Sequence, residues 1–273
     1  MAGTKYAYVR NFELPDPLLP DTFIVLRIDG HAFHRLSEEH QFIKPNDERA
    51  LQLMDHAARD IMDEFKDIVL AFGESDEYSF LFRRSASVYN RREAKILTTV
   101  VSLFTSSYVF HWPKYLPAQP LKYCPSFDGR ITLYPSPQSV RDYFSWRQAD
   151  AHINNLYNTI FWALILQGGQ TTTEAHVTLR GTVSSQKHEM LFSRFGINYN
   201  EISARFRKGS VLVREPVPKT ATENADPPAA EGDKQEGKGA SKKKTRIRTT
   251  VELYHCDIIG DEFWDARPML LTE

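Results

Sequence analysis

Cysteine is almost absent from this chain of 273 residues, with Cys124 and Cys256 its only two. Two thiols so far apart build no disulfide framework, and neither has a second thiol nearby to frame a zinc site. Both therefore read as reduced residues of an intracellular protein. Long apolar runs are missing as well: no stretch approaches the ~18 residues of a membrane span, so no membrane association is expected. Met1 to Phe12 contains Lys5 and Arg10 and no apolar segment followed by small residues, which does not read as a secretory signal. A basic excess is also lacking, since 34 Lys and Arg face 35 Asp and Glu for a formal charge of −1. Proteins that track phosphates generically carry surplus cations. Any nucleic-acid contact here must come from local gatherings, such as Arg83, Arg84, Arg91, Arg92 and Lys95, or Arg205, Arg207 and Lys208. No internal repeat is visible.

What is present is ordinary globular composition with well-marked elements. Phe23 to Ile28 is a short apolar, β-branched run ending at Asp29-Gly30, which predicts a buried strand and a tight turn. After a loop, Asn46 or Asp47 caps a helix in which Leu51, Met54, Ala58, Ile61, Met62 and Phe65 recur at helical spacing. Ile68 to Phe72 and Tyr78 to Phe82 flank Gly73-Glu74-Ser75-Asp76, a hairpin signal. Ala94, Leu97, Val101, Phe104 and Tyr108 predict a second long helix, and Asp128 to Tyr134 another strand. Strand, helix, strand, strand, helix, strand predicts an α+β fold: a βαββαβ antiparallel sheet with both helices on one face and the other face free for a ligand.

The second half changes character. Trp146 to Gln167 carries Ile153, Leu156, Ile160, Phe161 and Leu164 on one side, and short helices are expected at Glu174 to Leu179 and Gln186 to Phe195. Between Pro216 and Thr245 Pro, Gly, Lys and Glu dominate, which predicts a disordered insertion. Thr250 to Ile259 alternates again as a returning strand. The expected organisation is a catalytic core at 1–135, a helical region at 136–215, the insertion at 216–245 and a strand with tail at 246–273. Lys242 to Arg248 reads as a nuclear signal or as the basic edge of a loop.

The chemistry-bearing residues are carboxylates. Asp29 ends the first strand and Asp76-Glu77 sits at the hairpin turn, so the topology can converge them on one edge of the sheet. Converging carboxylates call for a counter-charge, and magnesium, which takes one or two carboxylates plus phosphate oxygens, supplies it. Two such ions suit an in-line phosphoryl displacement. Gly30 permits close backbone approach, and the turn offers N–H groups to a triphosphate. The alternative is that Asp29 and Asp76 are simply turn residues.

The runs Arg27-Ile28-Asp29-Gly30-His31-Ala32-Phe33-His34, Lys44-Pro45-Asn46-Asp47, Gly73 to Phe80, His152 to Asn158, Gly181-Thr182 with Lys187, and Asn198-Tyr199-Asn200 followed by Arg207-Lys208-Gly209 resemble, in order, the signature set of the tRNA-histidine guanylyltransferases. His255 to Asp261 resembles their eukaryotic members. The resemblance covers the chain from end to end apart from the insertion.

It implies a polymerase-like palm in which Asp29, the Gly30 carbonyl and Asp76 hold two magnesium ions, with Glu77 also important to catalysis. Asp29, Gly30, His31, Ala32, Phe33 and His34, with Ser75 and Asp76, would cradle the guanine nucleotide. His31 stands where arginine or lysine is expected from the family. Lys44, Arg92, Lys95 and Arg130 are candidates for triphosphate contacts, while His152, Asn155, Lys187 and Asn198 would serve tRNA. His152 and Asn155 are placed by helical spacing opposite the apolar side. The implied reaction adds a guanine nucleotide to the 5′ end of tRNA-His. ATP activates the 5′-phosphate, the GTP 3′-hydroxyl attacks it, and the enzyme is a homotetramer in the cytoplasm and/or nucleus. The alternatives are a non-catalytic RNA-binding module, whose sheet needs exposed stacking aromatics, and a palm-type nucleotide cyclase.

Overall fold

The computed structural model describes residues 4–217 and 248–272, so most of the expected insertion lies outside the described residues. The apolar run forms β1 (Phe23–His31). Where a loop is expected, a short helix α1 (Phe33–Glu39) follows, and then α2 (Glu48–Glu64). Asp47 rather than Asn46 caps α2, its carboxylate accepting the Arg49 N–H at 3.1 Å. The hairpin strands β2 (Ile68–Glu74) and β3 (Glu77–Phe82) come next, followed by α3 (Glu93–Tyr115) and β4 (Ser126–Tyr134). The chain continues as α4 (Pro137–Leu166), α5 (Thr172–Leu179), α6 (Ser184–Phe195) and α7 (Ala204–Lys208). It closes with β5 (Ser210–Pro216), β6 (Thr249–Tyr254) and α8 (Asp261–Asp265). β5 is absent from the expected order, because Val211, Leu212 and Val213 form too short a run to declare a period.

The strands form one antiparallel sheet in the order β4-β1-β3-β2-β5-β6. On one face Ile24, Leu26 and Ile28 of β1 join Tyr78, Phe80 and Phe82 of β3 beneath α2 and α3, as expected. The buried stripe of α3 is rotated from the expected one. Ile96, Val100, Phe104 and Tyr108 are buried, Leu97 and Val101 lie at its margin and Ala94 is exposed.

The opposite face is not free. Phe23 and Val25, Phe72, Leu81, Val211 and Val213 are covered by Val140, Tyr143 and Phe144 of α4 and by Ile258, Phe263 and Trp264 beyond β6. The reason lies in β1 itself, where consecutive apolar residues Phe-Ile-Val-Leu mark a strand buried on both sides. The β4 edge of this face stays open, with Asp128, Arg130 and Thr132 exposed. A sheet whose central strands lie under a helix offers no platform for stacked bases, which removes the RNA-recognition alternative.

Gln148 of α4 ties this cover together. Its Nε2 donates to the Lys208 and Cys256 carbonyls, each at 2.9 Å, and its Oε1 accepts the Ile258 N–H at 2.7 Å. The second half of α4 leaves the sheet and builds a separate apolar cluster from Leu156, Ile160 and Leu164 with Ala175, Leu179, Leu191 and Tyr199. Ile153, expected in that stripe, is exposed.

Trp264 is 3% exposed and its indole N–H donates to the Ile258 carbonyl at 2.8 Å. Trp264→Ala should therefore lower unfolding stability by about 3–5 kcal/mol in urea titration. A loss below about 1 kcal/mol would detach this segment from the core.

Candidate functional site

Strand register brings the acids together. Asp29 stands opposite Glu77 across the β1–β3 pair and opposite Asp128 across the β1–β4 pair. The Gly30 N–H donates to the Asp76 carbonyl at 3.0 Å, fastening the end of β1 to the β2–β3 turn. A Cβ on Gly30 would lie 2.4 Å from the Phe33 ring. That ring packs against Phe127 and Tyr108 at 4.9 and 5.9 Å between centroids, so residue 30 has no room for a side chain. Ala32 and Ser75 hold φ of 56° and 49°. For non-glycine residues this left-handed region costs ~1–2 kcal/mol each, and such strain concentrates at functional sites. No side chain caps α1, which leaves the N–H groups of its first turn to an outside acceptor.

The electrostatics separate the acids into two sets. Burial pushes the Asp76 carboxyl up, opposed by a hydrogen bond from Ser75, while the charge of Asp29 adds to the rise and His34 opposes it. Among the described residues neither Asp29 nor Asp76 has a cationic side chain within 4.0 Å. Two adjacent carboxylates without a counter-charge fit a hard divalent cation. Glu77, in contrast, is already neutralised: it accepts from Arg147 Nε at 2.7 Å and lies 3.4 Å from Arg27 Nη1. Arg147 also reaches Glu74 and Asp150, each at 2.9 Å. Three carboxylates around two guanidiniums carry one negative charge too many if all ionise. Burial pushes the Glu74 carboxyl up to about 8 against the pull of Arg147, with Glu77 and Asp150 adding to the rise. Burial raises Glu77 as well, but Glu77 touches both guanidiniums, so Glu74 is the group that holds the proton.

Of the predicted nucleotide residues, Asp29, Gly30, Ala32, Phe33, His34, Ser75 and Asp76 assemble at this end. His31 is exposed opposite Ser126. Lys44 donates to Ser37 Oγ of α1 at 2.9 Å and lies 5.4 Å from the Trp162 ring. Arg130 stands in register with Arg27 on the open β4 side, and Arg27 Nε is buried without a hydrogen-bond partner. Like charges placed directly opposite destabilise a sheet; Glu77 compensates Arg27, whereas Arg130 has no carboxylate within 4.0 Å among the described residues. Arg92 and Lys95 do not join the site within one chain. Arg92 pairs with Asp16 at 3.1 Å, Lys95 lies 4.7 Å from the Tyr89 ring, and both begin α3. At 1.5 Å per residue they lie about 24 and 20 Å along the helix from Tyr108, which touches Phe33.

The four tRNA candidates gather in the helical region. Asn155 is not opposite the apolar side: it is buried, and its Nδ2 donates to the Tyr199 hydroxyl at 3.0 Å. The His152 ring lies 5.5 Å from Tyr199 and 6.3 Å from His188, and burial pushes its pKa down, helped by His188. Lys187 Nζ donates to the Thr182 carbonyl at 2.7 Å. Asn198 accepts the Asn200 N–H at 3.1 Å and donates to Glu201 at 2.9 Å, beside an open groove of 610 Å³ that it lines with His188, Phe192 and Tyr199. The sequence reading missed Arg147, Arg27 and Glu74. A basic residue at apolar spacing on α4, between Phe144 and Ala151, is the signal that marks the first.

The family described as tRNAHis guanylyltransferase matches residues 6–135, and the description Thg1 C terminal domain matches residues 138–260. The chain is similar to a probable tRNA(His) guanylyltransferase of Mus musculus, 52% identical over 273 residues, 100% of this chain and 90% of the relative. It is similar to the tRNA(His) guanylyltransferase of Schizosaccharomyces pombe, 50% identical over 99% of this chain and 98% of that one. The crystal structure of tRNA(His) guanylyltransferase from Saccharomyces cerevisiae superposes with a TM-score of 0.74 at 50% identity, covering 77% of this chain and 93% of that chain.

A carboxyl whose folded pKa is raised binds more protons folded than unfolded, so its contribution to stability is lost as pH rises between the two values. The melting temperature in the presence of a chelator should fall as pH rises from the ordinary carboxylate range through about 8. Glu74→Gln should flatten that slope. Equal slopes for both proteins would contradict a protonated Glu74.

Proposed function

From the premise that the chain belongs to the tRNA(His) guanylyltransferase family, we propose that the Asp29–Asp76 end of its palm-like sheet adds a guanine nucleotide to the 5′ end of tRNA(His). The chain is an enzyme, a nucleotidyltransferase. The juxtaposition of Asp29 and Asp76, with no described cationic side chain within 4.0 Å, at the open end of β1 carries this reading. ATP transfers its AMP to the 5′-phosphate of the tRNA and releases pyrophosphate. The 3′-hydroxyl of GTP then attacks that activated phosphate, AMP departs, and the pyrophosphate on the new 5′ end is removed.

Asp29, the Gly30 carbonyl and Asp76 would hold two magnesium ions, which when bound supply activation of the attacking hydroxyl and stabilisation of the leaving oxygen. The chain's own residues supply position. The Asp29–His34 turn and Ser75 seat the guanine nucleotide on backbone already held in its strained conformation. Arg27 and Arg130 present guanidiniums to phosphate oxygens from the β4 side, and Lys44 does so from beside α1. Glu77 acts through Arg27 and Arg147, holding the strands on which Asp29 and Asp76 stand.

His152 and Asn198 face the tRNA, while Asn155 and Lys187 keep that surface in shape. The same reading makes the enzyme a homotetramer, whose contacts would cover side chains exposed on one chain, such as Phe12, Leu14 and Phe110. It also makes the enzyme intracellular, cytoplasmic and/or nuclear.

Asp29→Asn and Asp76→Asn each remove a ligand charge worth several kcal/mol to the transition state, so nucleotide addition should fall about 10³-fold. Thermal stability should hold or rise, since each change relieves an uncompensated charge. A matching collapse of stability would return both residues to a structural role. With labelled GTP, tRNA(His) carrying a 5′-monophosphate should require ATP, whereas a 5′-triphosphorylated tRNA should accept the nucleotide without it. Label at the 3′ end, or addition to the monophosphate without ATP, would overturn the mechanism.

A further inference from the structure

The layer of helices above the sheet carries a second group of ligands. His56 and Asp60 lie four residues apart on α2 and so share a face. His111 of α3 meets them there, its ring stacked on that of His56 at 3.7 Å between centroids and 18° between planes, so the His111 ring must turn for both Nε2 lone pairs to converge on one ion. His111 Nε2 lies 3.0 Å from Asp60 Oδ2, and His56 Nε2 lies 3.8 Å from Asp60 Oδ1. One ligand atom from each of the three falls within 4.8 Å of the other two. Nitrogen and oxygen ligands at ~2.0–2.2 Å from a tetrahedral ion stand roughly 3.3–3.5 Å apart, and the two separations here bracket that spacing.

The surroundings orient these ligands. His56 Nδ1 lies 2.9 Å from the Tyr115 hydroxyl, which fixes the ring with Nε2 turned toward Asp60. Ser107 Oγ donates to Asp60 Oδ2 at 2.6 Å. Outer partners of this kind surround metal-ligating imidazoles and carboxylates. Side-chain exposures of 20%, 35% and 19% for His56, Asp60 and His111 leave the group open on one side, where water can complete the coordination.

We infer that His56, Asp60 and His111 form a site for a divalent transition ion of the zinc class, which clasps α2 to α3. Two imidazoles and one carboxylate suit zinc and its neighbours, whereas magnesium prefers all-oxygen sites such as the Asp29–Asp76 end. The inference is independent of the reading of that end.

The test is calorimetric titration of the full chain with Zn²⁺ after chelation and dialysis, in excess Mg²⁺ so that the all-oxygen site is saturated. The expected result is a single Zn²⁺ per chain, retained when Asp29→Asn and Asp76→Asn are combined. Binding should be about 100-fold weaker in His111→Gln and in His56→Gln. Tyr115→Phe, which leaves all three ligands in place, should cost about tenfold through the lost orientation of His56. Zn²⁺ should also raise the melting temperature of the unaltered chain and not that of the His56→Gln/His111→Gln double variant. Absence of binding in excess Mg²⁺, or affinity unchanged in His111→Gln, would overturn the assignment.

Discussion

Arg147 carries a guanidinium from α4 into a place where only 6% of its side chain meets solvent, and there it contacts Glu77, Glu74 and Asp150. A charge taken out of water costs several kcal/mol unless partners surround it, so α4 can lie over the sheet only while those carboxylates stay in reach. The positions of Glu74 on β2 and Glu77 on β3 in turn require the hairpin turn to keep its register. The division of labour among the acids follows. Glu77 is committed to Arg27 and Arg147, and the negative charge left over for a cation is that of Asp29 and Asp76. The helix that makes this ion cluster then runs on into the region carrying His152 and Asn155, so one element connects the Asp29–Asp76 end with the surface proposed for RNA.

The core of the sheet was legible because its strands and helices are long and periodic: β1, β2, β3, α2 and α3 all stand near where spacing puts them. Asp29 and Asp76 were legible as acids at strand ends, and the shared motifs gave them a role that spacing alone left open. β5 was not, since three apolar residues are too few to distinguish a strand from a loop. The covered face was half visible, in the unbroken apolar run of β1, but which element covers it depends on Arg147 finding Glu77, a contact between residues 70 apart in sequence. The misplacement of Asn155 has the same root. Helical spacing gives a residue's angle about its axis, whereas α4 is wrapped by different partners along its length, and a polar face at one level is an interior at the next.

Strain at the site is local. Ala32 and Ser75 hold left-handed backbone on either side of the Gly30–Asp76 hydrogen bond, and Phe33 fills the space a side chain at residue 30 would need. The aromatic packing of Phe33 with Tyr108 and Phe127 over-determines this turn, so a conformation unfavourable in isolation persists. Of these rings Tyr108 belongs to α3, so a metal clasp between α2 and α3 would stiffen one side of this support.

Gln148 closes the cover over the sheet by holding Ile258, and Trp264 seals it. Residues 254–270 leave the ribosome only after all of α4 has been made. Until they arrive the apolar side of α4 near Phe144, against which Trp264 packs, is uncovered. A nascent chain can therefore assemble the α2–α3 side of the sheet early, and with it the turn held by Phe33, Tyr108 and Phe127, as domains do when they fold from the N-terminal side during synthesis, while the opposite face is sealed only as translation reaches this segment. An arrested or truncated translation product would keep Asp29 and Asp76 on their turn but expose the apolar sheet face that Ile258, Phe263 and Trp264 cover.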